Sequence, residues 1–318
     1  MQPLNWGIVS TGRIAEQFVS DMAAVNNGIV HAVAARKLTD AQAFAQRHNI
    51  DKAYGSYQSL FEDQDVDVIY IGTPHTFHFQ QARDAILAGK HVLCEKPITV
   101  SSEQCRQLST LAKSRGVYLM EAMWTYFLPA IQQAKAWVDE GRIGTIKHVK
   151  ADFGYPIEYN PNSREYNADL AGGCLLDMGI YPIAIASYFL NRNIDYWHVN
   201  AELAPNGVDK DVIMLAEFGE AKATLATSFQ CKLNNYAYII GDKGYIALHD
   251  FWRAKSCELY HLEERVDYFE DNRTTFGFNY EAEAVGKDIL SGKTESEVVT
   301  HDRSLWLQQQ MERVKTFF

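Results

Sequence analysis

The chain has 318 residues, enough for about two domains at roughly 150 residues each. The chain contains 30 Lys and Arg and 40 Asp and Glu, which gives a net charge of −10. This charge, and the lack of a block of basic residues, argue against nucleic-acid partners. Hydrophobic residues make up 47% and charged residues 22%, a globular composition that excludes disorder throughout. The best apolar run, 180–190, is too short to span a bilayer, and no signal-peptide pattern opens the sequence. We therefore expect no membrane partner and a cytoplasmic location.

The five cysteines are widely spaced, and no CxxC pair occurs among them. Their odd number and their spacing argue against a disulfide framework and against a zinc ribbon. A reducing cytoplasm agrees with this pattern.

Strand and helix patterns alternate through the first 122 residues. The predicted strands are 4–9, 29–34, 66–71, 91–94 and 117–120, and the predicted helices are 12–24, 39–48, 76–88 and 101–114. Alternation of this kind predicts βαβ units and a parallel sheet. The strands are almost continuously apolar, as expected for a sheet covered on both faces.

The pattern changes after about residue 122. We predict a strand at 146–154, a helix at 177–190, and further helices at 279–290 and from Arg303. Between them lie strand patterns at 197–203, 211–218, 222–229, 236–241, 244–248 and 257–262. Clustered strands without intervening helices indicate an antiparallel sheet. The predicted architecture is a doubly wound α/β domain (1–122) followed by an α+β domain (123–318).

A glycine-containing turn joins the first predicted strand to the first helix. In the GxGxxG dinucleotide fingerprint, Ser10, Gly12 and Ala15 would occupy the three glycine positions. The helix that follows offers backbone N–H groups to phosphates, so the turn predicts nucleotide binding through Ser10, Thr11, Gly12, Arg13 and Ile14. Ser10 departs from the pattern, because a tight turn normally uses glycine. A plain strand–helix turn is the alternative.

The end of the second strand bears on cofactor type. NAD sites usually place an acidic residue there, but this chain has Ala34-Ala35-Arg36-Lys37. An arginine can pair with a 2′-phosphate and stack on adenine, so NADP(H) is favoured and NAD(H) remains an alternative. Arg36 could equally be a solvated surface residue.

Two further strand ends carry polar residues. Thr73, Pro74 and His75 follow one strand, and Glu95-Lys96-Pro97 follows the next. Ligands of open α/β sheets bind beyond the carboxyl ends of the strands. Proline fixes the chain direction, so Lys96 is predicted to point into the cleft. Solvent exposure is the ordinary alternative for a lone lysine.

Asp177 and Tyr181 lie four residues apart on a predicted helix preceded by Gly172 and Gly173. At this spacing they share one helical face. They are candidates for chemistry, and the alternative is a capping aspartate with a core tyrosine.

Taken together, these motifs resemble the glucose–fructose oxidoreductase / inositol dehydrogenase family (Gfo/Idh/MocA). The segments on which the resemblance rests occur in the same order as in the family: 7–15, Ala35-Arg36, Thr73-Pro74-His75 with His78, Glu95-Lys96-Pro97, and 177–181. The resemblance implies a Rossmann domain followed by an open antiparallel sheet that often forms dimer contacts, and hence a homodimer. It also implies that His78 and Glu95 join the cofactor cleft.

Most members of this family carry histidine where this chain has Tyr181. That tyrosine, with Glu121-Ala122-Met123-Trp124 upstream, resembles the dimeric dihydrodiol dehydrogenase branch. The resemblance implies an NADP-dependent enzyme that oxidises trans-dihydrodiols of aromatics and sugars such as D-xylose. It indicates the reaction type better than the substrate.

The expected reaction is hydride transfer between an alcohol or hemiacetal carbon and the nicotinamide. Tyr181 is the candidate acid–base; its reference pKa of about 10 would need lowering, which the charge of Lys96 could provide. Proton transfer by Lys96 itself is the alternative, and Asp177 would orient the substrate or the lysine. Lys96→Met is expected to lose turnover while keeping NADPH binding.

Substrate contacts are predicted for Trp124, Phe153 and Arg164, although the two aromatics could be core residues and Arg164 a surface residue. No metal is expected, because His75 and His78 lack a third ligand nearby. Serine-hydrolase, HExxH, P-loop and Tyr-x-x-x-Lys signatures are absent from the sequence. A keto-sugar reductase and a non-catalytic NADP(H) sensor remain as alternative functions.

Overall fold

A computed structural model describes residues 2–318. The chain divides into two compact units: the first runs to Trp124 and returns as Thr274–Gln308, and the second comprises Thr125–Arg273 and Gln309–Phe318. The predicted domain boundary after residue 122 stays a prediction, and the contact-based division adds 274–308 to the first unit.

The first unit is built on a parallel sheet with strand order β3-β2-β1-β4-β5-β6, the Rossmann order. Its strands are β1 (Leu4–Val9), β2 (Gly28–Ala34), β3 (Lys52–Tyr54), β4 (Val68–Ile71), β5 (His91–Glu95) and β6 (Leu119–Ala122). Its helices include α1 (Arg13–Met22), α2 (Leu38–His48), α3 (Tyr57–Phe61), α4 (His75–Leu87), α5 (Ser102–Arg115) and α8 (Phe278–Leu290), and α9 (His301–Lys315) begins there.

A buried carboxylate attaches α8 to this unit. Asp21 of α1 accepts hydrogen bonds from the backbone N–H groups of Phe276, Gly277 and Phe278, at 2.7–2.9 Å. These donors open α8, where negative charge is favourable. Asp21 thereby fixes a helix that is about 250 residues distant in sequence, which local periodicity could not predict.

The second unit holds an open sheet of order β14-β13-β12-β11-β7-β10-β9-β8, antiparallel except for the β7–β10 pair. Its strands are β7 (Ile146–Gly154), β8 (Tyr196–Leu203), β9 (Asp209–Phe218), β10 (Ala221–Ser228), β11 (Ala237–Gly241), β12 (Tyr245–Leu248), β13 (Ser256–His261) and β14 (Glu264–Glu270). Helices α6 (Pro129–Asp139) and α7 (Ile180–Leu190) pack on the sheet. The predicted fold class, an α/β Rossmann domain plus an α+β domain with an open, mostly antiparallel sheet, is confirmed.

Several elements differ from the sequence prediction. Short β3, helix α3, helix α6 and edge strand β14 were not predicted, and β6 lies two residues later than expected. The expected single helix at 177–190 begins with a π-helical turn, Leu175–Gly179. The segment Ala168–Leu190 is long and apolar enough to cross a membrane, but 89% of its apolar window is buried in the fold, which makes it a core segment.

Candidate active site

The turn after β1 has the features of a phosphate cradle. Ser10 adopts a φ of +125°, a conformation that favours glycine, and its Oγ accepts a 3.0 Å hydrogen bond from the Gly12 N–H. Gly12 precedes α1, and no side chain among residues 2–318 caps that helix end. A Cβ at Gly12 would meet only the Ser10 Oγ, at 3.3 Å. The first-turn N–H groups of α1 therefore suit an anionic group, and a dinucleotide fits this turn.

Arg36 is exposed immediately after β2, whereas Ala34 and Ala35 are buried. Burial raises the pKa of Tyr57, and the positive charge of Arg36 partly offsets that rise. The chain offers no acidic residue between the end of β2 and Asp40. In Rossmann folds the residue at this position contacts the adenosine ribose. Here that residue is the cation Arg36, and no carboxylate stands beside it.

His78 joins the segments that follow β4 and β5. Its Nε2 lies 2.7 Å from the Thr73 carbonyl oxygen and its Nδ1 lies 2.8 Å from that of Pro97. Both ring nitrogens are thus engaged by backbone, so His78 positions these two turns and has no nitrogen left for a metal. Nearby, Thr73 Oγ1 donates to Gln81 at 2.6 Å, and His75 is buried with its ring 5.8 Å from that of His78.

Glu95 and Lys96 close strand β5. Glu95 is buried and accepts a 2.7 Å hydrogen bond from the Tyr70 hydroxyl, and its other oxygen accepts from the Lys96 backbone N–H at 3.3 Å. Lys96 is partly exposed, and the Lys96–Pro97 peptide is cis. The glutamate is therefore anchored beneath the lysine in the first unit.

Two further buried carboxyl groups lie in the first unit, and sequence reasoning assigned neither a role. Glu121 is the penultimate residue of β6, where burial raises its pKa to about 7 and the Ile98 N–H donates to its Oε1 at 2.9 Å. Glu281 of α8 is fully buried, and burial together with the charge of Glu95 holds its pKa well above the usual range. A glutamate inside the apolar run of β6 was the available signal for the first. Nothing in the amphipathic pattern of α8 singles out the second.

In the second unit, Asp177 belongs to the π-helical turn and Tyr181 to the start of α7. Turns of this kind often occur at functional sites. The buried Asp209 holds the beginning of the turn, because its Oδ2 accepts from the Leu175 N–H at 2.7 Å and from the Cys174 thiol at 3.4 Å. Asp209 was not predicted, and burial raises its pKa.

Arg164 and Asp177 were predicted separately, and they form an ion pair of 2.9 Å between Nη2 and Oδ1. The side chains are 41% and 21% exposed, so solvent weakens the pair and it adds little to stability. Its effect is to set the orientation of the Asp177 carboxylate.

Tyr181 lies in an aromatic cluster. The ring of Phe153 stacks on Trp252 with centroids 4.9 Å apart and meets Tyr181 edge-on at 5.5 Å. Trp252 was not predicted. Trp124, which belongs to the first unit, is buried and stacks on Phe278 at 4.4 Å, which agrees with the alternative of a core residue.

The five cysteines are free thiols, and only Cys231 is exposed. Within residues 2–318, no group of three or more His, Cys, Asp or Glu side chains is arranged to hold a metal ion.

Comparisons with known proteins cover nearly the whole chain. Residues 4–123 match the profile of the oxidoreductase family with an NAD-binding Rossmann fold (GFO_IDH_MocA), and residues 131–247 match the GFO/IDH/MocA C-terminal domain. The chain belongs to the Gfo/Idh/MocA family. It is an oxidoreductase that acts on CH–OH groups, and its first unit is an NAD(P)-binding Rossmann fold.

Individual relatives support the same assignment. The trans-1,2-dihydrobenzene-1,2-diol dehydrogenase of Xenopus laevis is 37% identical over 310 residues, covering 93% of this chain and 92% of the relative. The 3-ketoreductase KijD10 of Actinomadura kijaniata, solved with NADP and TDP-benzene, has a TM-score of 0.89 at 26% identity, covering 99% and 98% of the two chains. The aldose–aldose oxidoreductase of Caulobacter crescentus (TM-score 0.91, 20% identity, 99% and 97% covered) shows the same fold.

Proposed function

We propose that this protein is an NADP(H)-dependent dehydrogenase that oxidises a CH–OH carbon of a trans-dihydrodiol or an aldose sugar. The observation that carries the proposal is the 37% identity, over 93% of the chain, to a trans-1,2-dihydrobenzene-1,2-diol dehydrogenase. The aromatic cluster of Phe153, Tyr181 and Trp252 supports it, because aromatic faces pack well on planar diols and on sugar rings.

The cofactor preference rests on Arg36. Exposed at the end of β2 with no acidic residue beside it, this guanidinium suits the 2′-phosphate of NADP(H). Ser10, Thr11, Gly12, Arg13 and Ile14 would hold the pyrophosphate at the start of α1. Thr73, Pro74, His75 and Glu95 would border the nicotinamide, with His78 fixing the two turns that carry them.

A bound nicotinamide supplies the hydride acceptor. Tyr181, in its deprotonated tyrosinate form, takes the proton of the substrate hydroxyl and becomes the neutral phenol, and the Lys96 ammonium stabilises the negative charge that develops on the substrate oxygen. Asp177, oriented by Arg164, hydrogen-bonds the substrate. Proton transfer by Lys96 itself is the competing assignment, which Tyr181→Phe tests.

A second candidate is NADPH-dependent reduction of a keto sugar. It is favoured by the likeness to a 3-ketoreductase solved with NADP, at 26% identity. The same residues would then act in the opposite direction, with Tyr181 giving its proton to the carbonyl oxygen. Assays run in both directions separate the two.

The first experiment measures NADPH and NADH binding by cofactor fluorescence. Arg36→Ala is expected to weaken NADPH binding about tenfold to a hundredfold and to leave NADH binding unchanged, because a charge-assisted hydrogen bond contributes roughly 1.5–3 kcal/mol. Lys37→Ala, an exposed neighbour, is the matched control and should bind both cofactors as the wild type does. A wild type that prefers NADH contradicts the role of Arg36.

Turnover is then measured with benzene trans-dihydrodiol and D-xylose as substrates. Lys96→Met is expected to lose about 10²–10³ in kcat, the usual effect of removing a group that stabilises a developing negative charge, with NADPH affinity unchanged. Lys113→Met, a half-exposed lysine on α5, serves as control. Unaltered turnover in Lys96→Met would contradict the catalytic role of Lys96. Tight NADPH binding without turnover of any diol or sugar would favour the alternative function of a non-catalytic NADP(H) sensor.

We also propose that the protein forms a homodimer through the second sheet and works in the cytoplasm. Support for the dimer comes from one face of that sheet, here called the tyrosine face, which carries Tyr238, Tyr245, Tyr260 and Tyr268 on β11–β14. Helix α7 packs on the opposite face, where its Tyr181 meets Phe153 of β7.

A further inference from the structure

Asn235 lies where the strands beside the aromatic cluster of the second unit stop pairing. Strand β11 pairs with β7 so that Ala237 lies opposite Ala151, and continuing this antiparallel register places Asn235 opposite Phe153. The ladder ends there, because Asn235 has a φ of +62° and leaves the extended conformation. Asparagine enters this left-handed region more readily than most residues do. Asn235 is also fully buried, so its polar side chain needs hydrogen-bond partners inside the fold.

The hydrogen bonds of Asn235 hold the chain on both sides of Phe153. The Asp152 Oδ1 accepts the Asn235 backbone N–H at 2.6 Å, and the Gly154 backbone N–H donates to the Asn235 Oδ1 at 3.0 Å. Two side-chain oxygens thus serve as acceptors where the backbone ladder ends. The residue before Phe153 and the residue after it are both bonded to Asn235.

Asn235 also fixes the turn that carries Trp252. Its backbone carbonyl oxygen accepts the Phe251 N–H at 3.2 Å, and Phe251 opens a short 3-10 helix. The Thr125 hydroxyl donates to the Trp252 carbonyl oxygen at 2.7 Å. The indole of Trp252 stacks on Phe153 with an angle of 14° between the ring planes. Asn235 is therefore bonded to sequence neighbours of both rings in the stack.

The stack lies beside the candidate acid–base residue. Phe153 meets the ring of Tyr181 edge-on, and both residues are buried, whereas Trp252 is partly exposed. The Arg253 guanidinium lies 4.8 Å from the centre of the Trp252 ring and restrains it further. Contacts between aromatic rings depend on their offset and angle. A substrate that packs against these rings therefore depends on how firmly they are held.

We propose that Asn235 and Asp152 are positioning residues that hold Phe153 and Trp252 in place for substrate binding. The proposal rests on the proposed function of the aromatic cluster. Both residues act through hydrogen bonds to the chain next to the two rings. Rings that are already ordered bind a planar diol or a sugar ring without losing further conformational freedom, which favours binding. Loss of either residue should weaken substrate binding and leave cofactor binding unchanged.

The first test measures KM and kcat of Asn235→Gly with the better substrate of benzene trans-dihydrodiol and D-xylose. Glycine keeps the left-handed backbone and removes only the side-chain acceptor of the Gly154 N–H. KM is expected to rise about threefold to tenfold, as for the loss of one aromatic contact, with kcat within about twofold of wild type. NADPH affinity should be unchanged. An unchanged KM overturns the proposal, because asparagine would then serve only the turn. A parallel loss of NADPH affinity also overturns it, because the damage would then be general.

Asp152 offers a second test with a conservative rescue. Asp152→Ala removes the acceptor of the Asn235 N–H and should raise KM as Asn235→Gly does. Asp152→Asn keeps an acceptor oxygen, and its KM should lie within about twofold of wild type. Light scattering verifies that the variants are compared in the same oligomeric state. If Asp152→Asn raises KM as much as Asp152→Ala, the hydrogen bond does not position the rings and the proposal is wrong.

Asn191→Ala is the matched control. Asn191 also has a left-handed φ, +47°, but it is exposed at the C-terminal end of α7. Alanine there brings similar backbone strain to the same unit without touching the stack. Its KM should equal that of the wild type. A KM raised as in Asn235→Gly would show that any strain in this unit weakens substrate binding, and would refute a specific role of Asn235.

A further readout needs no substrate. The six tryptophans are labelled with fluorotryptophan, and Trp252→Phe identifies the fluorine NMR signal of Trp252. That signal should shift or broaden in Asn235→Gly and Asp152→Ala and stay in place in Asp152→Asn and Asn191→Ala. An unmoved signal in the first two variants contradicts the proposal. A shifted signal in a protein that oxidises no diol or sugar would instead refute the proposed function alone.

Discussion

Ser10 shows how one residue departs from a motif while keeping its geometry. The turn needs a positive φ at the first glycine position of the fingerprint, and Ser10 supplies it at +125°. Strain in this region costs about 1–3 kcal/mol for a residue with a Cβ. The Ser10 Oγ recovers part of that cost by accepting the Gly12 N–H.

A pair of variants at Ser10 separates strain from hydrogen bonding. Ser10→Gly loses the hydrogen bond and the strain, whereas Ser10→Ala loses the hydrogen bond alone. We expect Ser10→Gly to exceed Ser10→Ala by about 1–2 kcal/mol in the free energy of unfolding, measured by urea titration. At an unstrained site the order is reversed, because alanine is favoured over glycine by about 0.4–1 kcal/mol. Finding that reversed order here would refute strain at this turn.

Glu121 also predicts a pH dependence of stability. Its pKa is raised from the usual 4.5 to about 7 in the folded protein, so the folded state binds the proton more tightly than the unfolded chain does. Stability from this group is therefore fully present below pH 4.5 and is lost as the pH rises through 7. The full loss is about 3 kcal/mol, since a pKa difference of one is worth 1.36 kcal/mol.

Glu121→Gln removes this loss. The free energy of unfolding of the variant minus that of the wild type should be about 3 kcal/mol larger at pH 8 than at pH 4.5. The exposed Glu103→Gln on α5 should show no comparable change. A difference between wild type and Glu121→Gln that is the same at both pH values would contradict the raised pKa. The expected result is a buried residue that lowers stability at and above neutral pH.

Residue-level features could be predicted where the sequence pattern was local. The departure at Ser10 and the lysine at a strand end could be recognised from neighbouring residues alone. Glu121 could not be assigned, because its partners Ile98 and Ser304 come from other elements. Asp209 was missed for the same reason, because it lies 34 residues from Leu175, whose N–H group donates a hydrogen bond to it.

Elements were predictable where periodicity and burial agreed. Strand β1 and the C-terminal end of α8 lie where the pattern placed them, because buried apolar runs and amphipathic helices have strong local signals. Edge strand β14 was missed because it is largely exposed and rich in charge. The π-helical turn was missed because its first residues are set by Asp209.

Gly173 makes that turn possible. Its φ is +129°, and a Cβ there would lie 2.2 Å from the Oδ1 of Asp209. Gly173→Ala should therefore lower the free energy of unfolding by about 3 kcal/mol or more, from backbone strain plus displacement of a buried carboxylate. Gly207→Ala is the control, with a φ of +82° and open space around the new Cβ, and should cost only about 1 kcal/mol.

The contrast is measured by urea titration of both variants, with kcat as a second readout. Because Asp209 anchors the turn that carries Asp177, Gly173→Ala should also lower kcat, whereas Gly207→Ala should not. If both variants lose the same stability, the clash with Asp209 is absent and the carboxylate does not define the turn.

At the scale of the molecule, the order of strands in each sheet could be expected only through the family resemblance. Alternating strands and helices predict a parallel sheet, but the pairing of β7 with β10 in parallel joins strands about 70 residues apart. No local pattern specifies such a pairing. The sheet stays open, which leaves the tyrosine face without a covering helix.

The tyrosine face argues for a second copy of the chain as its occupant. Tyr245 and Tyr260 stack with centroids 4.8 Å apart, and the same face extends to Ile213, which is 59% exposed on β9. Charged side chains such as Lys150, Asp152 and Glu258 lie among these aromatic and apolar residues on the same face. A surface that combines aromatic side chains with a polar rim is typical of interfaces. We expect a mass of twice 36.1 kDa by size-exclusion chromatography with light scattering.

Two variants decide whether this face forms the dimer. Ile213→Glu places a charge within the face and should halve the measured mass, because an unpaired buried charge costs several kcal/mol. Leu262→Glu makes the same kind of change at the exposed β13–β14 turn, where Leu262 is 87% exposed, and should leave the mass unchanged. A dimer that survives Ile213→Glu assembles through another surface. A monomeric wild type would contradict the proposed dimer. The tyrosine face would then contact a different partner or solvent.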